Sequence, residues 1–321
     1  MAHSTLPTFP PIPPFPPMAP SLLSVVVPVH DRADLLRRCL ESLDGWTVPR
    51  EIIVVDDGSR DPGVDRLREE RPDLVWIHVA ENRGFSAAVN RGLGETRGDT
   101  LLLLNSDAEV RRGGDTALAS AFAARPRPGA VAARLFHPDG RPQWSGGDEP
   151  TLVWLFALAS GLARGARRSS ASFRQAPSGW RGGDVEWAPA AALALSRAAW
   201  VATGPFDESF RHYAQDLDYA HRLRRAGFRI RVEPGLEVVH HLGGSAGDGA
   251  LQGQRLDWLW CDLVRWIAKA RGERAARAAA RVLRFGGRWR LRRLRARGDA
   301  REAASVREAI AAVSSGASSL L

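Results

Sequence analysis

The stretch Leu101–Val110, LLLLNSDAEV, runs four leucines directly into Asn105-Ser106-Asp107. A continuous apolar run bounded by polar residues reads as a strand buried on both faces. Two explanations of its acidic end compete. Asn, Ser and Asp are common turn residues and would close any strand. Alternatively, the strand delivers Asp107 to the carboxyl edge of a parallel sheet, where open α/β folds bind their ligands. What else arrives at that edge decides between them.

Working towards the N-terminus, LLSVVVPV (residues 22–29), EIIVVDDGS (51–59) and DLVWIHV (73–79) read as further strands. Each is followed by a stretch with helical spacing. In DLLRRCLESL, Leu35, Leu36, Cys39, Leu40 and Leu43 share one face; DPGVDRLREER and GFSAAVNRGLGET are the next two helices. Strand and helix alternate with short connections before residue 110. That predicts an α/β fold with parallel pairing, right-handed crossovers and helices on both faces of the sheet. The strand ends collect His30-Asp31, Asp56-Asp57-Gly58-Ser59, Asn82-Arg83-Gly84 and Asn105-Ser106-Asp107. One carboxylate at one strand end is chance, whereas polar clusters at successive ends point to a nucleotide crevice. No G-x-G-x-x-G follows the first strand and no P-loop is present, so the dinucleotide and P-loop folds are excluded.

Composition bounds the rest. The 321 residues are 44% hydrophobic and 25% charged, ordinary for a soluble globular protein. A net charge of +9, concentrated in the last sixty or so residues, favours anionic partners. Cys39 and Cys261 have no CxxC spacing, which suggests neither a disulfide framework nor a zinc site and fits a reducing cytoplasm. Residues 1–20, rich in proline and lacking a basic start, read as a disordered or polyproline leader, not a signal peptide. The longest apolar run, Thr151–Ala163, falls short of the roughly 18–20 residues a membrane-spanning helix needs.

Beyond residue 110 the pattern loosens through a Gly/Arg/Ser-rich passage at about 140–183. It then resumes from Asp184 as strand, helix, loop, helix, strand, strand. From about Leu251 the chain reads as helical, with Trp258, Trp260 and Trp266 as a packing face, and then becomes arginine-rich. The domain reading is therefore a leader at 1–20, a catalytic domain at 21–248 with halves meeting near 110, and a basic helical extension at 249–321.

The ordered set SVVVPVHDR (24–32), EIIVVDDGSRD (51–61), ENRGFSAAVNRG (81–92), LLLLNSDAEV (101–110), GPFDESFRHYAQDLDYAHRLRRAGFRI (204–230) and VVHHLGGS (238–245) resembles glycosyltransferase family 2. These are the inverting nucleotide-sugar transferases of the GT-A fold, here similar to the subgroup of bacterial rhamnosyltransferases and other cell-surface glycan enzymes. The resemblance implies a UDP- or dTDP-activated sugar donor, a glycan or lipid-linked acceptor and a divalent metal, Mn2+ or Mg2+. It assigns Asp57 to the N3–H of the base, with Pro28, Val29 and Asp31 close by, and turns Arg83, Asn90 and Ser106 towards the nucleotide. Asp107 closes the D-x-D-like motif as metal ligand, with His240 as its partner and His241 facing the other way. Asp216 is the base that accepts the acceptor's proton. Three departures stand out: Asn105-Ser106-Asp107 keeps one carboxylate, Gln215 replaces an acid before Asp216, and Ala190 replaces a glycine three residues after Trp187. Trp187, Ala190 and Gln215 are assigned to the sugar region.

Blander readings stand beside these. Asp56, Asp57 and Ser59 would serve equally as a turn capping the helix near Asp61, and Asp218 with Arg222 as a surface ion pair. Trading activity for binding, a degenerate nucleotide-sugar binder is one rival reading, and a nucleic-acid or membrane module is another. For the basic tail, an amphipathic helix on anionic lipid is favoured over nucleic acid, since no aromatic-basic motif of a known module occurs. That places the protein in the cytoplasm, peripheral on the inner membrane face.

Overall fold

The computed structural model describes residues 22–124, 126–162, 182–210, 212–241 and 255–316. The proline-rich leader, residues 163–181 of the Gly/Arg/Ser-rich passage and the end of VVHHLGGS lie outside them.

The first half follows the expected alternation. Strands β1 (Leu23–Val29), β2 (Arg50–Asp57), β3 (Val75–Val79) and β4 (Thr100–Leu104) pair in parallel, linked by helices α1 (Ala33–Glu41), α2 (Pro62–Glu70) and α3 (Phe85–Gly94). Their apolar runs are continuous because both faces are covered. Val26, Ile53 and Leu103 face one core, while Val25, Val27 and Leu102 face the other. Leu35, Leu36, Cys39, Leu40 and Leu43 are all buried on one face of α1 and its exit, as their spacing predicts. Asp61 caps α2 by accepting the Gly63 N–H at 2.8 Å.

The second half is chiefly antiparallel. After β5 (Ala108–Arg112), α4 (Gly114–Ala123), β6 (Ala130–Phe136) and α5 (Leu152–Ser160) come β7 (Gly183–Val185), β8 (Ala192–Ser196), α6 (Arg197–Thr203), α7 (Gln215–Arg225) and β9 (Ile230–His240). The strand order is β3-β2-β1-β4-β8-β6-β9-β5, with β7 beside β9. Here the two strands expected at residues 230–241 are one eleven-residue strand whose pairing with β6 shifts register between Ala133 and Arg134. Its first part pairs with β7 and its last part with β5.

This order places the site. The chain winds outward from β1 to β3, then returns to the other side of β1 to form β4. The crevice above the carboxyl ends of β1 and β4 is therefore a topological switch point.

The C-terminal extension is three helices, α8 (Leu256–Arg271), α9 (Glu273–Arg297) and α10 (Ala300–Gly316). They share the core of the sheet rather than standing apart: Trp260 and Trp266, both fully buried, belong to the same apolar cluster as Val26 and Leu103. Truncating a buried Trp costs about 3–5 kcal/mol, so the extension is part of the folding unit. Trp258 is only partly buried and carries the Arg255 guanidinium 4.4 Å above its ring. Neither cysteine forms a disulfide among the described residues. Among the described residues, no helix is long and apolar enough to cross a membrane.

Candidate active site

At two places the backbone is held in a conformation that side chains resist. Asp31, Arg32 and Ala214 are the non-glycine residues with positive φ among the described residues, at 60°, 59° and 61°. They sit at the end of β1 and at the entry to α7. Strain of this kind costs on the order of 1–3 kcal/mol per residue and persists only where the surroundings impose it.

At β1, the Asp31 carboxylate accepts the N–H groups of Arg60 at 2.6 Å and Asp61 at 3.0 Å, and its own N–H donates to Ser59. The Arg60 bond holds the Asp31 carboxyl below the usual range. Asp31 thus ties the end of β1 to the turn after β2. Pro28 and Val29 are buried in the sheet, so only their backbone is available to a ligand.

At β2, Asp57 is buried and accepts backbone N–H groups of Arg83 and Gly84, both at 2.8 Å. A carboxylate offers about four lone-pair sites, so acceptor capacity remains for a ring N–H. The close approach in this loop belongs to Gly58. With φ 71°, its missing Cβ would lie 2.8 Å from the Asn82 nitrogen. Gly84, by contrast, has nothing within 4 Å and supplies φ 88°. Asp56 is structural, accepting from Ser59 N–H and contacting His78 Nδ1 at 2.8 Å. The Arg83 side chain is exposed and makes no ion pair among the described residues. Asn90 differs from expectation. Its amide donates to the Phe206 carbonyl and Glu208, and its carbonyl accepts the Phe206 N–H, all within 2.9 Å. Both of its donors are spent on fastening the GPFDESF segment to α3, leaving none for a nucleotide.

At β4, Ser106 and Asp107 are buried in the turn to β5. The register sets Ala108 opposite His240, which brings His240 Nε2 to 3.3 Å from the Asp107 carboxylate. His241 points the other way, 2.6 Å from Glu109, as strand alternation requires. Gln143 braces His240: its amide donates to the His240 carbonyl at 2.5 Å, and its oxygen lies 3.3 Å from Nδ1. In the same turn, Asn105 Oδ1 is buried with no hydrogen-bond partner. No group of three or more acidic, His or Cys side chains suited to a metal occurs among the described residues. A carboxylate plus an imidazole nevertheless fits a cation that keeps its remaining positions for water and phosphate oxygens.

Next to Gln143, Trp144 enters the wall of a cavity of about 140 Å³, lined also by Trp187, Trp154, Gln215, Asp216 and Leu263. It has room for several waters. Trp187 stands edge-on to Trp144 and donates its indole N–H to the Asp148 carbonyl. Gln215 Oε1 is buried without a hydrogen-bond partner. Burial pushes the Asp216 carboxyl up to about 6, against the opposing bond from the Leu217 N–H. Ala190 is buried in the core and does not line the cavity. Asp57 and Asp107 do not line it either; Asp107 connects to it through His240, Gln143 and Trp144.

With this geometry in hand, residues 24–178 match the family model described as glycosyl transferase family 2. The chain belongs to glycosyl transferase family 2. Its relatives include the N-acetylglucosaminyl-diphospho-decaprenol L-rhamnosyltransferase of Mycobacterium tuberculosis, 28% identical over 70% of this chain and 78% of the relative. The pre-mycofactocin glycosyltransferase of the same organism is 34% identical over 68% of this chain, which spans 42% of that protein. O-antigen biosynthesis protein RfbC of Myxococcus xanthus is 28% identical over 68% of this chain and 17% of its own length. The crystal structure of GalNAc-T7 with UDP, GalNAc and Mn2+ superposes with a TM-score of 0.54 at 15% identity, over 77% of this chain and 47% of that one. The fold is GT-A.

Two contributors to this family 2 site carried no readable sequence signal. Gln143 sits in a polar loop held to the end of β6, and its reach to His240 depends on the β6–β9 pairing. Asp262, one acid in an amphipathic helix, is 1% exposed and accepts the backbone N–H groups of His212 and Tyr213. The Asp218–Arg222 pair forms at 2.8 Å, yet it is not a surface pair: Asp218 is buried and shared with Lys269 at 2.7 Å.

Proposed function

We propose that this family 2 chain transfers a sugar, with rhamnose the leading assignment, from a UDP- or dTDP-activated donor to a glycan or lipid-linked acceptor, inverting the anomeric centre. The observation that carries the reading is the Asp107–His240 contact beside a cavity that holds a carboxyl raised to about 6. The named rhamnosyltransferase relative supports the choice of sugar and of a lipid-linked acceptor in cell-surface glycan synthesis.

The chemistry is one displacement. The acceptor oxygen bonds to the anomeric carbon as the bond to the diphosphate breaks, the electron pair leaves with the diphosphate, and the acceptor's proton passes to Asp216. A carboxylate with a pKa near 6 is ionised at neutral pH yet basic enough to take that proton. Only one carboxylate is needed, because no covalent intermediate forms. Asp107 and His240 would hold Mn2+ or Mg2+, with the orphaned Asn105 oxygen in the same turn. When bound, the cation supplies charge neutralisation for the departing diphosphate. Arg83, exposed at the rim, is the side chain available to the phosphates.

Gln215 favours a second reading, a binder with little turnover, because it removes an acid beside the base. One experiment separates the two. UDP and dTDP with Mn2+ should raise the melting temperature, and donor turnover should disappear in Asp216→Asn while that stabilisation persists. A protein that no nucleotide stabilises is not this transferase; a nucleotide-stabilised protein with no turnover is the binder. A fully active Asp216→Asn removes the base assignment.

A further inference from the structure

The arginine-rich segment was expected to lie on lipid as a free amphipathic helix. Instead α9 spends its apolar face inside the protein, burying Ala276, Ala279, Ala280, Leu283 and Leu294. What remains outside is a different surface, shared with the catalytic domain. Phe285 is 66% exposed and stacks on Phe156 of α5 at 6.0 Å; Trp289, 37% exposed, lies 6.5 Å from the same ring. Val153, one turn back on α5, is 79% exposed, and Leu152 beside it 45%. Two helices thus present one contiguous patch of aromatic and aliphatic side chains. Contiguous exposed apolar surface marks an interaction site, whereas scattered residues do not.

The charges around it say what kind. Arg281, Arg288 and Arg292 project from the outer face of α9 at the i and i+3/i+4 positions of Phe285 and Trp289, and all three are exposed. Arg284 sits beside them, and Arg293 lies 4.6 Å over the Trp289 ring. Of the α9 arginines, Arg277 pairs with Glu273 in the same helix and Arg290 with Glu302 of α10. Arg281, Arg284, Arg288 and Arg292 have no acidic partner among the described residues. Aromatic and aliphatic tips ringed by unneutralised guanidinium groups match a surface with acyl chains inside and anionic headgroups outside. Nucleic acid would match the arginines and could stack on Phe285 and Trp289, but it has no use for Val153 and Leu152.

We propose that the α5–α9 patch docks on an anionic lipid bilayer, with Val153, Phe285 and Trp289 entering the headgroup–acyl boundary and Arg281, Arg288 and Arg292 pairing with lipid phosphates. The geometry ties this to the site. Trp154 and Leu158, on the opposite flank of α5, line the cavity that holds Asp216. A bilayer against the outer flank therefore lies about one helix diameter, roughly 10 Å, from that cavity. This deepens the proposed transfer to a lipid-linked acceptor by naming the surface that meets the lipid, and its significance rests on that reading.

The test is co-sedimentation of the full chain with phosphatidylglycerol-rich vesicles, compared with pure phosphatidylcholine. Binding should be selective for the anionic vesicles and weaken with added salt. It should fall about tenfold or more in Phe285→Ser/Trp289→Ser, and likewise in Arg281→Gln/Arg288→Gln/Arg292→Gln. Melting-temperature shifts with UDP or dTDP should persist in both variants, which separates failure of docking from failure of the transferase reading. Wild-type protein should also gain protection from hydrogen exchange at residues 152–160 and 281–292 when vesicles are added, an arm that needs no variant. The proposal is overturned by vesicle affinity unchanged in both variants, by equal binding to neutral vesicles, or by absence of that protection. Aromatic-dependent binding of RNA with no vesicle binding, or a dimer abolished by Val153→Asp with no vesicle binding, overturns it equally.

Discussion

The carboxylate of Asp262 accepts the backbone N–H of Tyr213 at 3.0 Å, so a helix of the C-terminal extension holds the turn that leads into Asp216. The same oxygen lies 3.3 Å from the His212 nitrogen, and the next residue, Ala214, has φ 61°. A buried acid is thus committed to keeping a strained turn in place. Asp262 acts on the chemistry only through that turn, as a positioning residue.

Asp262→Ala should lower kcat about 10–100-fold while leaving the donor KM within about twofold. It should also lower stability by about 1–3 kcal/mol, since buried N–H groups lose their acceptor. Asp262→Asn keeps one accepting oxygen and should recover part of the kcat. Steady-state kinetics decide the point: equal loss in kcat and donor affinity would indicate general unfolding instead.

The raised carboxyl of Asp216 has two consequences with opposite signs. Turnover should rise with pH through about 6 as the base ionises. Stability should run the other way. The folded state holds this proton more tightly than the unfolded chain, whose carboxyl titrates near 3.8. The stabilisation is therefore whole below about 3.8 and is lost as pH rises through about 6. Asp216→Asn should be inactive yet more stable than wild type at pH 7.5 by about 1–2 kcal/mol, with little difference at pH 4. Calorimetry at both values checks this, and a variant less stable at pH 7.5 would refute it.

His240→Ala should raise the Mn2+ concentration needed for UDP to stabilise the protein. Gln143→Leu should do the same by about 10–100-fold, though Gln143 binds no metal itself, because the orientation of the imidazole depends on it. Mn2+ titrations followed by thermal shift give the midpoint. No change in Gln143→Leu would leave that residue with a packing role only.

Gly58→Ala places a Cβ against the Asn82 backbone nitrogen in a loop held at φ 71°. The expected loss is about 1–3 kcal/mol of stability, with weaker nucleotide binding as the Asp57 bonds to Arg83 and Gly84 shift. Urea unfolding and nucleotide titration of the variant test both parts.

Asp207 works against its partial burial through bonds from Lys269 and Ser209, which hold its carboxyl at about 2. Its contribution is present above about pH 3.8 and disappears as pH falls towards 2. Lys269→Met should narrow the acid side of the stability profile and cost about 1–2 kcal/mol at pH 6, a figure reduced for solvent access. Unfolding monitored between pH 2 and 6 would show the difference, and superimposable acid profiles would count against it.

The parallel half of the fold was legible in the chain itself. LLSVVVPV, EIIVVDDGS and LLLLNSDAEV are continuous apolar runs because each strand is covered on both faces, and that burial requirement writes itself locally. The Asp107–His240 contact was legible through the family resemblance. Asn90 was misread because its place on α3 does not say what packs opposite it; that is the Phe206–Glu208 segment, more than a hundred residues away.

By itself the amino-acid sequence determined the strand–helix alternation, the polar strand ends and the family, all of which depend on local pattern and ordered motifs. Only the tertiary structure decided that the late strands pair mostly antiparallel, with β6 and β9 parallel, that Gln143 braces His240 and that Asp262 holds the turn before Asp216. It also turned the arginine-rich helix inward, leaving Phe285 and Trp289 outside beside Phe156. Each of these is a contact between distant segments, set by strand register and by which faces the shared core consumes, and no local residue pattern encodes either.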